Sequence, residues 1–167
     1  MRNTSPARPG AALGHPVAMA ALLLWLVNDH LLKGVGPGAL TGKLSDVACL
    51  VVVPLIPVTL VELWAARRGG AEDLRRVTLW IALGITGGVM VTINLFEPAA
   101  FAYRHGMGVL QWPLRALLIG VRDGQLATLA PVHLTMDASD LFTLPALLVP
   151  WWLCRRAARP RQHVVAA

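Results

Sequence analysis

Residues 77–96 read VTLWIALGITGGVMVTINLF, a run of twenty residues without a charged side chain. A helix of about that length rises roughly 30 Å, the hydrocarbon thickness of a bilayer. This run therefore predicts a transmembrane helix, and it sets the scale for the rest of the chain. Upstream, residues 43–64 form a second apolar stretch, interrupted by Pro54 and Pro57, which predict a kink. Further upstream, residues 14–33 contain the core PVAMAALLLWLV and end in Asn28-Asp29-His30 and Lys33. That core is short enough for a signal-peptide h-region, but no small-x-small cleavage site follows it. It reads as a retained helix. Downstream, residues 139–154 carry Pro145 and Pro150 and read as a short, kinked or tilted span.

Composition agrees. Of 167 residues, 56% are hydrophobic and 14% are charged. A soluble domain carries about 25% charged residues, so this chain has too few to coat a water-exposed surface. A disordered chain, a secreted disulfide scaffold, a coiled coil and a large two-domain enzyme are excluded. Cys49 and Cys154 are far apart in the expected topology and read as packing residues, not a disulfide.

The expected fold is all-α: an integral membrane four-helix bundle with spans about 14–33, 43–64, 77–96 and 139–154. Residues 1–13 and 157–167 read as tails flanking a single transmembrane domain, 14–156. Residues 97–138 read as a long, partly structured loop. Its middle, MGVLQWPLRALLIGV, is apolar but interrupted by Pro113 and Arg115. A charge near the centre of a span is costly. Residues 107–121 are therefore expected to form an interfacial or re-entrant helix.

The net charge is +6. The arginines sit at the ends of apolar runs rather than on one polar face, so nucleic acid is not an expected partner. Ten of the fifteen Lys and Arg fall before residue 14, at 67–76 or after residue 154. The positive-inside rule then places both termini in the cytoplasm. The acidic residues sort the other way: Asp29, Asp46, Glu97, Asp123, Asp137 and Asp140 fall on the outer side and only Glu62, Glu72 and Asp73 on the inner.

Each span thus carries polar residues at its outer end, and a bundle would bring these ends together. Asp29, His30 and Asp46 are the candidate acid/base or catalytic residues. Lys33, Lys43 and Asn94 are candidates for holding an anionic substrate. Asp46, Asp137 and Asp140 are candidate ligands of a divalent cation such as Mg²⁺, Mn²⁺, Ca²⁺ or Zn²⁺. The plainer readings stand beside these. Thr41, Asp137 or Ser139 would serve as helix N-caps, Asp29 and Lys33 as an ion pair, Lys33, Lys43 and Glu97 as interfacial anchors, and Asn94 as an interhelical hydrogen-bond partner. Asp46, inside the first turns of a span, is the hardest to explain structurally.

One near-motif fails, and another is a packing signal. GVGPGALTGKLS (34–45) lacks the first glycine and the Ser/Thr after lysine of a P-loop and reads as a Gly/Pro turn between helices. Gly84-x-x-x-Gly88 predicts close helix approach.

The run NDHLLKGVGPGALTGKLSD (28–46), with D-x-S-D-L at 137–141, resembles a group of uncharacterised bacterial multi-span membrane proteins with an N-D-H…T-G-K-L-S-D pattern. The resemblance covers 28–46 well and the rest only in hydropathy. It implies a bacterial inner-membrane, multi-pass protein and no particular activity. Three functions fit the sequence. One is a metal-dependent hydrolase or transferase acting on a lipid-linked substrate. Another is a non-enzymatic accessory subunit of a membrane complex. The third is an ion or proton transporter, for which the inner halves of the spans offer few polar groups.

Overall fold

The structure is a computed structural model that describes residues 8–32, 38–68, 72–125 and 127–158, the side chains of His30, Ala39, Arg68, Glu72 and Asp123 excepted. Every regular element among these residues is helical: α1 (Pro16–Val27), a π-helical turn (Asn28–Leu32), α2 (Gly38–Val52), α3 (Leu55–Arg68), α4 (Glu72–Leu95), α5 (Glu97–Asp123), a 3₁₀ helix (Ala138–Leu147) and α6 (Leu148–Ala157). The expected all-α class is thus observed. Two segments, Leu40–Arg67 and Asp73–Leu95, are long and apolar enough to cross a membrane.

Several expected boundaries are corrected. The first stretch is not one α-helix to residue 33. α1 stops at Val27 and the chain widens into the π turn; Lys33 lies outside the described residues. The second stretch is two helices. Pro54 has no N–H to donate, and the backbone turns at Val53–Pro54, where Val53 N–H still bonds Cys49 O and Ile56 N–H bonds Val53 O. Pro57 falls in the first turn of α3, where a missing N–H is harmless. An open apolar cleft of about 210 Å³, lined by Val53, Pro57 and α4 residues Thr78, Ile81, Ala82, Ile85 and Thr86, borders this break. α2 begins at Gly38, so Thr41, Gly42 and Lys43 are helical rather than part of a turn. The fourth stretch is ten residues of 3₁₀ helix followed by ten of α-helix. Pro145 sits inside the 3₁₀ portion, where it cannot supply an i→i−4 donor.

The largest correction concerns 97–138. It is mostly helix: α5 runs 27 residues from Glu97, not merely through 107–121. A single residue, Phe96, separates it from α4, with extended backbone (φ −126°, ψ 113°). Pro98 follows at a position that tolerates its ring, and Gly124 closes the helix in the left-handed conformation (φ 67°).

The chain forms two compact units, one of residues 1–88 and 142–167 and one of residues 89–141. In the first, Ala12, Ala18, Leu55, Val58, Leu79, Leu153 and Cys154 form the buried core, with Leu13, Leu83, Val149 and Trp151 packed against it. A buried ion pair crosses this core: Arg75 Nε lies 2.7 Å from Glu62 Oε1. Arg75 also donates to Cys154 O, and Glu62 Oε2 accepts from Gly10 N–H at 2.7 Å. Arg75, expected as a loop charge, is therefore a buried tie between α3, α4, α6 and the N-terminal turn. Gly84 and Gly88 have open space where a Cβ would stand. The close approach is instead at Gly87, where a Cβ would lie 3.0 Å from Leu147. Cys49 and Cys154 are free thiols.

In the second unit, residues 127–132 run back along α5. Trp112 Nε1–H donates to Ala127 O (2.8 Å) and Val132 N–H to Arg104 O (3.0 Å). Gly108 makes this path possible, since a Cβ there would stand 2.5 Å from Ala130 O.

Candidate functional site

α1 and α2 pack on one another, and the π turn packs on both. α1 ends at Val27, and the Asn28 backbone N–H still bonds Leu24 O. The wider turn begins at Asn28, whose side chain is completely buried (0% exposed). A buried amide needs partners. Asn28 Nδ2 donates to Thr41 O at 2.6 Å and to Ser45 Oγ at 2.7 Å. Ser45 Oγ in turn donates to Asp29 Oδ1 at 2.6 Å. One amide, one hydroxyl and one carboxylate thus form a chain of hydrogen bonds from the π turn across to α2. Thr41 and Ser45 recur at i,i+4 and share the face of α2 toward Asn28. Asn28 Oδ1 is buried without a hydrogen-bond partner among the described residues.

The sequence-derived candidates fall as follows. Asp29 joins this network through Ser45 and also borders an open groove of about 260 Å³ with Leu22, Trp25 and Leu26. His30 lies in the π turn, its side chain outside the described set, as is all of Lys33. Lys43 and Asp46 lie half-buried on α2, and both take part in polar or electrostatic contacts. Thr41, expected as an N-cap, sits within α2 and turns its hydroxyl to Gly38 O (3.2 Å).

Asn94, Asp137 and Asp140 belong to the other unit. Asn94 is buried: Nδ2 donates to Met90 O (3.0 Å), and Oδ1 accepts from Asp137 N–H (3.1 Å). Asp137 Oδ1 accepts from Ser139 N–H (2.8 Å) at the start of the 3₁₀ helix, which is the N-cap arrangement. Asp140 lies half-buried in the first turn of that helix, and its N–H bonds Asp137 O (2.9 Å). Glu97 pairs with Arg104 two turns along α5. Among the described residues, no three His, Cys, Asp or Glu side chains group as a metal ion would require.

Two features escaped the sequence reading. Asn28 and Ser45 carry the described α1–α2 network, which Asp29 joins through Ser45. The available signal was the depth of Asn28 in an apolar run, since only a paired amide is tolerated there. The Glu62–Arg75 tie was equally unseen. A carboxylate inside VELW asks for a cation, but twelve intervening residues hide which one. No family model, curated protein or solved structure matches the chain.

Proposed function

We propose that the chain is an integral membrane protein acting as a non-enzymatic subunit of a membrane assembly, with the Asn28–Ser45–Asp29 network as the lock of its α1–α2 pair. The membrane reading is supported by exposed apolar surface. Only 44% and 33% of the apolar windows of Leu40–Arg67 and Asp73–Leu95 are buried. Leu60, Leu63, Trp64, Val77, Trp80, Ile81 and Ile85 point outward. A soluble fold exposes single apolar residues, not whole helix faces.

We infer four crossings. α1 with the π turn, α2–α3 and α4 supply three. The 3₁₀ helix and α6 supply the fourth: ten residues at about 2.0 Å and ten at about 1.5 Å give roughly 35 Å of rise. Both termini then lie on the arginine-rich cytoplasmic side of a bacterial inner membrane.

The subunit reading rests on the α1–α2 network. Both Asn28 donors and the Ser45 proton are engaged by other groups of the fold. This is the pattern of polar residues that fasten helices to one another in lipid. A metal-dependent hydrolase or transferase on a lipid-linked substrate is the second reading. Asn28 Oδ1, a buried acceptor beside Asp29, favours it.

The test is mild-detergent extraction of the tagged chain from its own cells, with native mass spectrometry and elemental analysis, beside Asn28→Ala and Asp46→Asn. The expected result is a stoichiometric membrane-protein companion that Asn28→Ala loses. A single-chain particle with stoichiometric metal, lost in a folded Asp46→Asn, overturns the subunit reading in favour of the enzyme.

A further inference from the structure

α5 is long enough to cross a bilayer but not apolar enough: it fails the test that Leu40–Arg67 and Asp73–Leu95 pass. Its residues divide by face instead. Leu110, Leu114, Leu117 and Val121 recur at steps of four, three and four, which is one stripe of a helix. All four are strongly exposed, Val121 to 81%. Arg104, Gln111, Arg115 and Arg122 recur at seven, four and seven, a second stripe roughly a third of a turn away at 3.6 residues per turn. The protein covers neither stripe in full. What it covers is the Gly108–Trp112 side, where residues 127–132 lie. The apolar stripe is left open, as are Gln111, Arg115 and Arg122 of the second stripe.

Connectivity says what the open face meets. α4 is apolar to Leu95, and α5 begins at Glu97 after the single extended residue Phe96. α5 therefore starts at the depth where α4 leaves the hydrocarbon, and the break at Phe96 stops it from prolonging α4. A span through the bilayer would carry Arg115 near its middle, where the hydrocarbon penalises a charge. A path along the surface has no such penalty, because arginines beside an apolar stripe reach the headgroups.

We propose that α5 is a lipid-docking surface. It lies along the bilayer interface, with Leu110, Leu114, Leu117 and Val121 in the acyl boundary and the exposed Arg115 at the phosphates of anionic lipids. This rests on the membrane reading above.

Nitroxide labels on single cysteines test it in the full chain, with Cys49→Ala and Cys154→Ala as background. Labels go at positions 110, 114, 117 and 121, at Gln111, and at Ile81 and Ile85 of α4 as controls. Accessibility to oxygen and to a water-soluble nickel chelate is read in nanodiscs with and without phosphatidylglycerol. The expected result is deep labels on α4, one shallow depth of about 5–10 Å for all four stripe positions, and nickel access at 111. Phosphatidylglycerol should deepen the stripe, and Arg115→Gln should abolish that change. Depths that rise to a maximum at mid-helix make α5 a span and overturn the proposal. Stripe labels closed to both reagents mean a protein partner or second copy covers the face, and stripe labels open to nickel mean water does; either overturns it. A stripe indifferent to phosphatidylglycerol refutes the anionic contact. Shallow α4 labels refute the membrane reading itself, which separates the two failures.

Discussion

Asn28→Ala is the sharpest perturbation of the α1–α2 pair. It removes hydrogen bonds of 2.6 and 2.7 Å to Thr41 O and Ser45 Oγ. Interhelical hydrogen bonds in lipid average about 0.6 kcal/mol and reach about 1.7. Truncating a fully buried amide also leaves a void of roughly 40 Å³, which at about 24 cal/mol per Å³ adds about 1 kcal/mol. The sum is about 2–4 kcal/mol. Loss of the unpartnered Oδ1 acceptor offsets part of it, so the lower half of that range is expected. The measurement is equilibrium unfolding of the purified chain in mixed micelles by titration with sodium dodecyl sulfate. Ser45→Ala removes the acceptor for Asn28 and the donor to Asp29 together. The double variant should therefore lose less than the two singles combined, by about 0.6–1.7 kcal/mol. Asp29→Asn keeps an oxygen for the Ser45 hydroxyl and should stay within about 0.5 kcal/mol of wild type, since a neutral acceptor replaces a charged one at an exposed residue. Strict additivity of Asn28→Ala and Ser45→Ala would refute the network, whatever the size of the single effects.

The same unfolding assay checks three further expectations. Gly108→Ala forces a Cβ against Ala130 O at 2.5 Å and should cost about 1–3 kcal/mol by overpacking. Gly87→Ala meets only the flexible end of Leu147 at 3.0 Å and should cost under about 1 kcal/mol; equal effects would contradict the contrast. Glu62→Gln leaves Arg75 buried without its anion and should cost about 3–5 kcal/mol, while Glu62→Leu with Arg75→Met should recover much of that loss. If the double variant is as unstable as the single, the pair is not the source. Trp112→Phe deletes the donor to Ala127 O; it should cost about 1 kcal/mol and speed amide exchange in 127–132 more than in α4.

Hydropathy carried the helical class and the centres of the apolar stretches, because apolar length is written directly in the chain. Pro54 likewise announced the break between α2 and α3. α5 was harder to read. Gly106, Gly108, Pro113 and Arg115 look like interruptions when hydropathy is averaged along the chain, and they cease to be so once the faces are separated. The 110–114–117–121 stripe held that information. The 3₁₀ helix and the π turn left no comparable trace, since i→i+3 and i→i+5 bonding follow from tertiary packing rather than from residue pattern. The polar residues at the ends of the apolar runs divide between the two units, Asp29 and Asp46 in one and Asn94, Asp137 and Asp140 in the other. Their roles were not legible, because Asp137 as a cap and Asn28 as a hub depend on which backbone atom each side chain meets.

That dependence points to a common device. Asn28 donates to Thr41 O, Arg75 to Cys154 O, Asn94 accepts from Asp137 N–H, and Glu62 accepts from Gly10 N–H. In each case a side chain from an apolar helix holds a backbone group of another segment. Thr41 O lies opposite a π turn, Cys154 O in the last turns of α6, Asp137 N–H just before a 3₁₀ helix, and Gly10 N–H in a turn. Cys154 O, Asp137 N–H and Gly10 N–H thus stand at or near the end of a helix or in a turn, while Thr41 O lies within α2. These four side chains therefore tie separate segments of the chain together. A ligand site would instead direct its polar groups toward a shared empty space. Among the described residues of the α1–α2 pair, Asn28 Oδ1 is a buried acceptor that departs from this pattern.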